Sequence, residues 1–145
     1  MPKASVTRLI NKKKDMLIDF VLDIDKYPEF IPFCLSSKVH EKKKSENMIL
    51  IIADLTIGKG PFTDTYQSDV RYNKSDDTIV VTNIDGPLKY LKNNWKFIEK
   101  DNSTEVHFDV DFEIKNKFLN LIMASSFQYG LNKIADAFQR RAEEL

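Results

Sequence analysis

The chain has 145 residues, which fits a single domain over residues 1–145 with enough length to bury a real core. Its 22 basic and 22 acidic residues give a formal net charge of zero, which argues against DNA binding and general nucleic-acid binding. The single cysteine, Cys34, excludes an intramolecular disulfide, and no apolar run reaches the length of a membrane span. We therefore expect a cytoplasmic protein whose membrane contact, if any, is peripheral.

The N-terminal part of the chain predicts one strand followed by two short helices. Ala4–Ile10 reads as a strand, and apolar residues three and four apart predict a helix over Lys14–Leu22. Two prolines four residues apart in the following DIDKYPEFIPFC break any long helix, so we expect one short helical turn there. Phe30 and Ile31 should then point inward.

The middle of the chain has the period of two that is typical of strands. The segment Glu105–Ile114 is the clearest example, because Val106 and the apolar residues at every second position after it alternate with His107 and a row of acids. We predict six strands after the short helices, namely Ser37–Lys42, Asn47–Ile57, Phe62–Tyr72, Thr78–Ile84, Leu91–Glu99 and Glu105–Ile114.

The last element is a long amphipathic helix. From Lys117 to Glu144 the apolar residues recur at steps of three and four. Gly130 lies inside this helix, where we expect a bend or the close approach of another element. The sheet must bury one apolar face, and this helix is able to cover it. The prediction is an α+β fold: a seven-stranded antiparallel sheet curled around a long C-terminal helix, with two short helices between strands 1 and 2.

The turns between the strands are of two alternating kinds. Polar turns occupy 41–47, 73–77 and 100–104, whereas turns rich in Gly, Pro and aromatic residues occupy 25–34, 58–62 and 85–91. Successive turns of an up-and-down sheet fall at opposite ends, so the apolar turns should gather at one end. An end of this kind is typical of a mouth, which predicts a container for an apolar ligand.

Aromatic residues supply candidate walls for the container, although each could equally fill the core. They are Phe62, Tyr66, Trp95, Phe97, Phe108, Phe112 and Phe127. The small residues at 124–126 lie in the first half of the long helix, nearest the apolar turns, and would leave volume there. Large walls, a small floor and few polar groups are typical of an apolar ligand pocket. A polar contact to the ligand's head group would come from Tyr66 or Ser125.

Few residues suggest catalysis or metal binding. Cys34 could pair with His40 or His107, but strand alternation places His107 on the solvent face and Cys34 at the apolar end. The carboxylates at 109, 111 and 113 could bind a hard cation, yet neighbours on one strand face lie roughly 7 Å apart. We expect solvated histidines and acids, a buried Cys34, no catalytic residue, no metal and no catalytic cofactor.

Two basic runs could contact phosphate groups. Lys12–Lys14 precedes the first helix, and Lys42–Lys44 ends a strand. Runs of this kind are usually solvated turns, which is the interpretation we favour. The functional alternative is contact with ribosomal RNA or with anionic lipid, since both present closely spaced phosphates to a cluster of lysines.

Four segments of the chain resemble one protein family. They are DIDKYPEFIPFC, GPLKYLKNNWKF, FDVDFEIKNKFLNL and AFQRRAEEL, in this order and over nearly the whole chain. They are similar to the coenzyme Q-binding START-like proteins, which include the mitochondrial ubiquinone chaperone and the bacterial ribosome association toxin. These proteins are grouped with polyketide cyclase/dehydrase-like domains. At position 33 this chain has Phe, where the pattern leads us to expect Trp or Gly.

The resemblance implies a helix-grip fold and non-enzymatic binding of ubiquinone or a related isoprenoid lipid, in support of respiration or quinone biosynthesis. Two alternatives stay open: a regulator that binds the large ribosomal subunit, and an enzyme of the cyclase or dehydratase type. The resemblance and the strand alternation together give the following candidate ligand-binding residues: Tyr27, Pro28, Phe30, Phe33, Phe62, Tyr66, Leu88, Trp95, Phe97, Phe108, Phe112, Met123 and Phe127.

Overall fold

The fold consists of seven strands, two α-helices and one 3-10 helix among the residues that the structure describes. A computed structural model describes residues 3–59, 61–86 and 88–145, without the side chains at 59, 62, 85, 118, 119 and 122–126. The elements in chain order are β1 (Lys3–Ile10), α1 (Lys14–Leu22), the 3-10 helix (Ile24–Glu29), β2 (Cys34–Lys44), β3 (Met48–Lys59), β4 (Phe62–Asn73), β5 (Thr78–Asp85), β6 (Leu88–Lys100), β7 (Ser103–Ile114) and α2 (Lys117–Glu143).

All seven strands form one antiparallel sheet in the order β1-β7-β6-β5-β4-β3-β2. From β2 to β7 each strand pairs with the next, and β1 pairs with the far side of β7. The predicted α+β fold is therefore confirmed. The helix α1 has the predicted limits, while β2 and β6 each begin three residues earlier than expected, at Cys34 and Leu88.

The two ends of the sheet differ as the turns predicted. At one end, which we call the polar end, the Lys74 amide donates to the Asn47 carbonyl at 2.9 Å, so neighbouring polar turns touch. At the opposite end, the rim end, the Gly58 amide donates to the Phe33 carbonyl at 2.9 Å. The rim end thus holds the segment before β2, the β3–β4 and β5–β6 turns and, after β7, the start of α2.

The inner face of the sheet follows the predicted alternation. Along β7, Val106 and Phe112 are buried while Asp109 between them is exposed. Ser68 of β4 is also fully buried on this face, and its hydroxyl donates to the Ala53 carbonyl at 3.1 Å. The inner face is therefore apolar with isolated polar groups that pair locally, as buried polar groups must.

The helix α2 lies against the inner face along the β1 edge. Arg8 Nη1 donates to Asp136 Oδ1 at 2.6 Å, and Gln139 Nε2 donates to the Leu9 carbonyl at 3.3 Å. Leu131, Ala135, Phe138 and Ala142 form its buried stripe. A Cβ added at Gly130 would meet no atom within 4 Å. The predicted close approach at Gly130 is therefore wrong, because the glycine faces open space.

Candidate ligand-binding site

The rings beneath the C-terminal half of α2 form an aromatic cluster around Phe138. This side chain is 7% exposed. Its centroid lies 5.2–5.7 Å, at steep interplanar angles, from the rings of Phe20, Tyr27, Phe30 and Trp95. Such edge-to-face contacts are favourable ring geometries. The cluster joins α1, the 3-10 helix and the sheet to α2. Three of the predicted ligand-binding residues thus lie within the packed core.

Two further predicted residues, Trp95 and Phe97, are fixed in the same region. Trp95 Nε1 donates to Asn93 Oδ1 at 3.0 Å, and Asn93 Nδ2 donates to the Asp109 carbonyl at 2.8 Å. Phe97 is buried and stacks parallel to Trp95, with centroids 6.2 Å apart. The indole N–H already has its partner, so this group offers a ligand only apolar surface. Pro28 lies half-buried inside the 3-10 helix.

A second apolar cluster lies nearer the rim end and gathers other predicted residues. Leu88 and Phe112 are buried in it, and the half-buried Phe127 meets Phe112 edge to face at 4.7 Å. Tyr66 and Phe108 pack against both clusters. These two residues therefore mark the level at which the core passes into the rim-end cluster.

The Tyr66 hydroxyl differs from the other polar groups of the inner face. The Tyr27 hydroxyl donates to the Val21 carbonyl, whereas the Tyr66 hydroxyl makes no hydrogen bond within the described residues. Burial, and secondarily the nearby Cys34, raise the pKa of Tyr66 above its ordinary range. No fully buried side-chain N or O atom lacks a partner in the same part of the chain. The Tyr66 oxygen is therefore enclosed by protein, yet still open to a water-sized molecule.

The β5–β6 turn holds Tyr66 in place from the rim end. Gly86 has φ +131°, and a Cβ added there would come within 2.7 Å of the Tyr66 Cβ and 2.8 Å of its Cα. Neither the backbone conformation nor the space suits a side chain. The glycine therefore permits the turn to close directly over Tyr66.

Phe33 does not point into the protein as predicted. Its side chain is 40% exposed, and its φ of +69° lies in the left-handed region that bulky residues rarely adopt. The buried Cys34 follows at once. The backbone turns sharply here, so that residue 34 faces inward and the ring at 33 is left at the surface of the rim end.

Several predicted residues lie outside the description. These are the side chains of Phe62 and Met123, the small residues at 124–126, and Pro87. They include the proposed floor of the cavity. The dry hollow between the sheet and the first half of α2 therefore stays a prediction, as do the roles of these residues.

Two grooves of about 600 and 490 Å³ lie on the outer face of the sheet instead. Lys92, Asn94 and Asp109 are among their lining residues, so neither groove is the predicted inner cavity. The carboxylates of this face have separate partners. Asp111 accepts from the Tyr90 hydroxyl at 2.9 Å, and Glu113 pairs with Lys89 at 3.3 Å. Within the described ranges no three metal-binding side chains converge.

The histidines and the cysteine lie where the alternation placed them. His40 Nε2 is 2.8 Å from Asp54 Oδ2, and His107 contacts Glu105, both on the outer face. Cys34 is buried, and burial raises the pKa of its thiol, whereas an activated nucleophile needs a lowered one. No cysteine–histidine pair forms among these residues. Neither α-helix, as far as its residues are described, is long and apolar enough to cross a membrane.

The sequence reasoning missed the central role of Phe138 and Phe20. Phe138 lies on the apolar stripe of α2 and Phe20 on that of α1, so each was recognised as buried. What it lacked was the partner across the interface, because periodicity gives the face of a residue but not its neighbour. Ser68 and Asn93 could have been found by parity, since each shares its strand face with predicted inner residues.

Comparison with known proteins places the chain in a family. A family model described as polyketide cyclase / dehydrase and lipid transport matches residues 15–139. The chain belongs to this family. Among curated relatives, the ribosome association toxin RatA of Rickettsia prowazekii is 32% identical over 142 residues, covering 96% of this chain and 94% of the relative. The mitochondrial coenzyme Q-binding protein COQ10 of Dictyostelium discoideum is 29% identical over 143 residues, covering 97% and 68%.

Solved structures share the fold of this family member. A START superfamily protein from Mycobacterium smegmatis has a TM-score of 0.81 at 16% identity, covering 98% of this chain and 97% of that one. The Zhui aromatase/cyclase from Streptomyces has a TM-score of 0.80 at 12% identity, covering 98% and 93%. At these identities the likeness concerns the fold, which is the predicted helix-grip arrangement. The same fold thus serves an aromatase/cyclase as well as START proteins.

Proposed function

We propose that the protein binds ubiquinone or a related isoprenoid lipid between the sheet and the first half of α2, and carries it without chemical change. The observation that carries this proposal is the Tyr66 hydroxyl, a hydrogen-bond donor without a described partner in apolar surroundings. An unpaired donor in such a place costs about 1–3 kcal/mol, so a bound acceptor would regain that free energy. A quinone carbonyl is an acceptor of this kind.

The remaining free energy of binding would come from the isoprenoid tail. Burial of apolar surface contributes about 25 cal/mol per Å², so a tail needs apolar walls more than polar contacts. Leu88, Phe112 and Phe127 supply such walls between Tyr66 and the rim end. Because burial raises the pKa of Tyr66, its phenol stays protonated and able to donate throughout the physiological range.

The experiment is extraction of the protein after expression in a quinone-producing host. Mass spectrometry of the organic extract should find a quinone with wild-type protein and several-fold less with Tyr66→Phe, which removes the donor and keeps the ring. Tyr129→Phe is the matched control, since Tyr129 is exposed on α2 and should leave the yield unchanged. An extract free of quinone, or equal yields from both variants, would reject this role for Tyr66; the first result would also reject the carrier.

A binding role is favoured over catalysis by the polar groups of the inner face. General acid–base catalysis needs titratable groups that face the bound molecule. In the described residues, Ser68 and Asn93 are engaged in structural hydrogen bonds, and both histidines lie on the outer face. The proposal is therefore a non-enzymatic carrier in the cytoplasm, although the family description includes cyclases and dehydrases.

A second candidate function is association with the large ribosomal subunit. It is favoured by the similarity to RatA and by the exposed basic run at the end of the edge strand β2, where Lys43 forms an ion pair with Glu41 at 2.9 Å. Binding through Lys42–Lys44 would weaken steeply with salt. Sedimentation with purified large subunits tests it: Lys42→Glu/Lys44→Glu should abolish co-sedimentation, and unchanged co-sedimentation would exclude this surface.

A further inference from the structure

Four large apolar side chains stand exposed around the rim end. Phe33 and Leu35 flank the buried Cys34 at the start of β2, Ile84 lies at the end of β5, and Leu121 lies in the first turns of α2. We propose that this ring, together with Lys115 and Lys117, docks on the surface of an anionic phospholipid bilayer. The inference rests on the proposed function, because the rim end is where a lipid would enter.

The backbone at Phe33 gives the first argument. A phenylalanine at φ +69° is strained, and a glycine there would relieve the strain without loss of packing, since the ring is exposed. Strain of order 1–3 kcal/mol persists when the surrounding structure enforces it and is typical of functional sites. An exposed aromatic ring held at this cost at the rim is consistent with insertion between lipid head groups.

The charges give the second argument and select the kind of membrane. Lys115 and Lys117 are exposed between β7 and α2 and form no ion pair within the described residues, whereas Lys89 nearby is paired with Glu113. Leu121 follows Lys117 by four residues and therefore lies on the same helix face. A leucine beside free lysines matches an interface in which apolar groups meet the acyl boundary and ammonium groups meet lipid phosphates.

The arrangement around the rim gives the third argument. The exposed side chains come from β2, β5 and α2, which lie on different sides of the sheet. A ring of separate apolar groups fits a flat, fluid surface better than the compact apolar patch of a protein interface. The polar end also has exposed apolar residues, including Leu9 and Met48. It therefore serves as an internal reference for the test.

The test is flotation of the full-length protein with two kinds of vesicle, phosphatidylcholine alone and phosphatidylcholine mixed with phosphatidylglycerol. Wild-type protein should bind the mixed vesicles more strongly. Phe33→Gly should lower that partition about fivefold, because part of one aromatic side chain no longer enters the bilayer. Its thermal unfolding midpoint should stay equal or rise, which separates loss of docking from loss of fold.

Two matched controls use the polar end. Met48→Ser removes an apolar side chain that is 37% exposed, against 40% for Phe33, and should leave the partition unchanged. Lys115→Gln/Lys117→Gln should lower partition onto the mixed vesicles about tenfold, while Lys42→Gln/Lys44→Gln should not. Docking by the rim would be overturned if wild-type protein bound neither vesicle, or if the polar-end variants lost as much binding as the rim variants.

The outcome is separable from that of the carrier proposal. Quinone content is measured on the same preparations by extraction. Rim-dependent vesicle binding by protein that carries no quinone would reject the carrier and leave the docking surface standing. Quinone-loaded protein whose vesicle binding ignores every rim substitution would reject the docking surface alone.

Discussion

The substitution Phe138→Ala tests whether the C-terminal half of α2 covers a core or a cavity. Phe138 is almost fully buried and touches four aromatic rings that come from α1, the segment around the 3-10 helix and β6. Truncation of a buried Phe to Ala costs about 3–5 kcal/mol, and the loss of several ring contacts places this site in the upper part of that range. We expect a loss of about 4 kcal/mol in the free energy of unfolding.

Urea denaturation followed by circular dichroism measures this loss, with thermal melting as a second assay. In a domain of about 150 residues, 1 kcal/mol corresponds to about 2–4 °C, so the melting midpoint should fall by about 10 °C. Phe127→Ala is the control. Phe127 is half-buried with one described ring partner, Phe112, and its truncation should cost about 1–2 kcal/mol.

The two variants should also differ in ligand retention. Phe138→Ala should leave the quinone content per folded molecule unchanged, whereas Phe127→Ala should reduce it several-fold because Phe127 lies in the rim-end cluster. Equal destabilisation by the two substitutions would refute our division of the interior into core and rim-end cluster. The same conclusion would follow if quinone were lost from Phe138→Ala but retained by Phe127→Ala.

Three further predictions concern glycines and buried phenols. Gly86→Ala should lower the free energy of unfolding by about 1–3 kcal/mol in a urea titration, because φ +131° and the contact with Tyr66 both oppose a Cβ. Gly130→Ala should instead raise it by about 1 kcal/mol, since an added methyl group there meets nothing and alanine favours the helix; a loss would show that α2 needs this glycine. Burial raises the pKa of Tyr27 and Tyr66 above the ordinary 10.0, so the folded protein keeps protons that the unfolded chain releases. Stability should be complete below about pH 10 and fall above it by up to about 1.4 kcal/mol per pH unit for each phenol. The slope in urea titrations at rising pH should become shallower in Tyr27→Phe, and an unchanged slope would contradict the assignment.

Much of the fold was determined by local patterns in the sequence. A period of two fixes which face of a strand is apolar, and steps of three and four fix the apolar stripe of a helix. For this reason the order of elements, the limits of α1 and the inner face of β7 were correctly predicted. The alternation of polar and apolar turns also fixed the two ends of the sheet, because strands of a meander reverse direction at every turn.

The tertiary structure decided what each inward residue meets. Trp95 and Tyr66 both point inward by parity, yet Trp95 is locked by Asn93 and the ring of Phe138, while the Tyr66 hydroxyl has no partner among the described residues. Phe33 turned outward because its backbone adopts a positive φ that no periodicity reveals. Spacing along a chain specifies a direction within one element, whereas contacts depend on how far the sheet curls and where α2 crosses it. Those quantities are set by the packing of the whole chain.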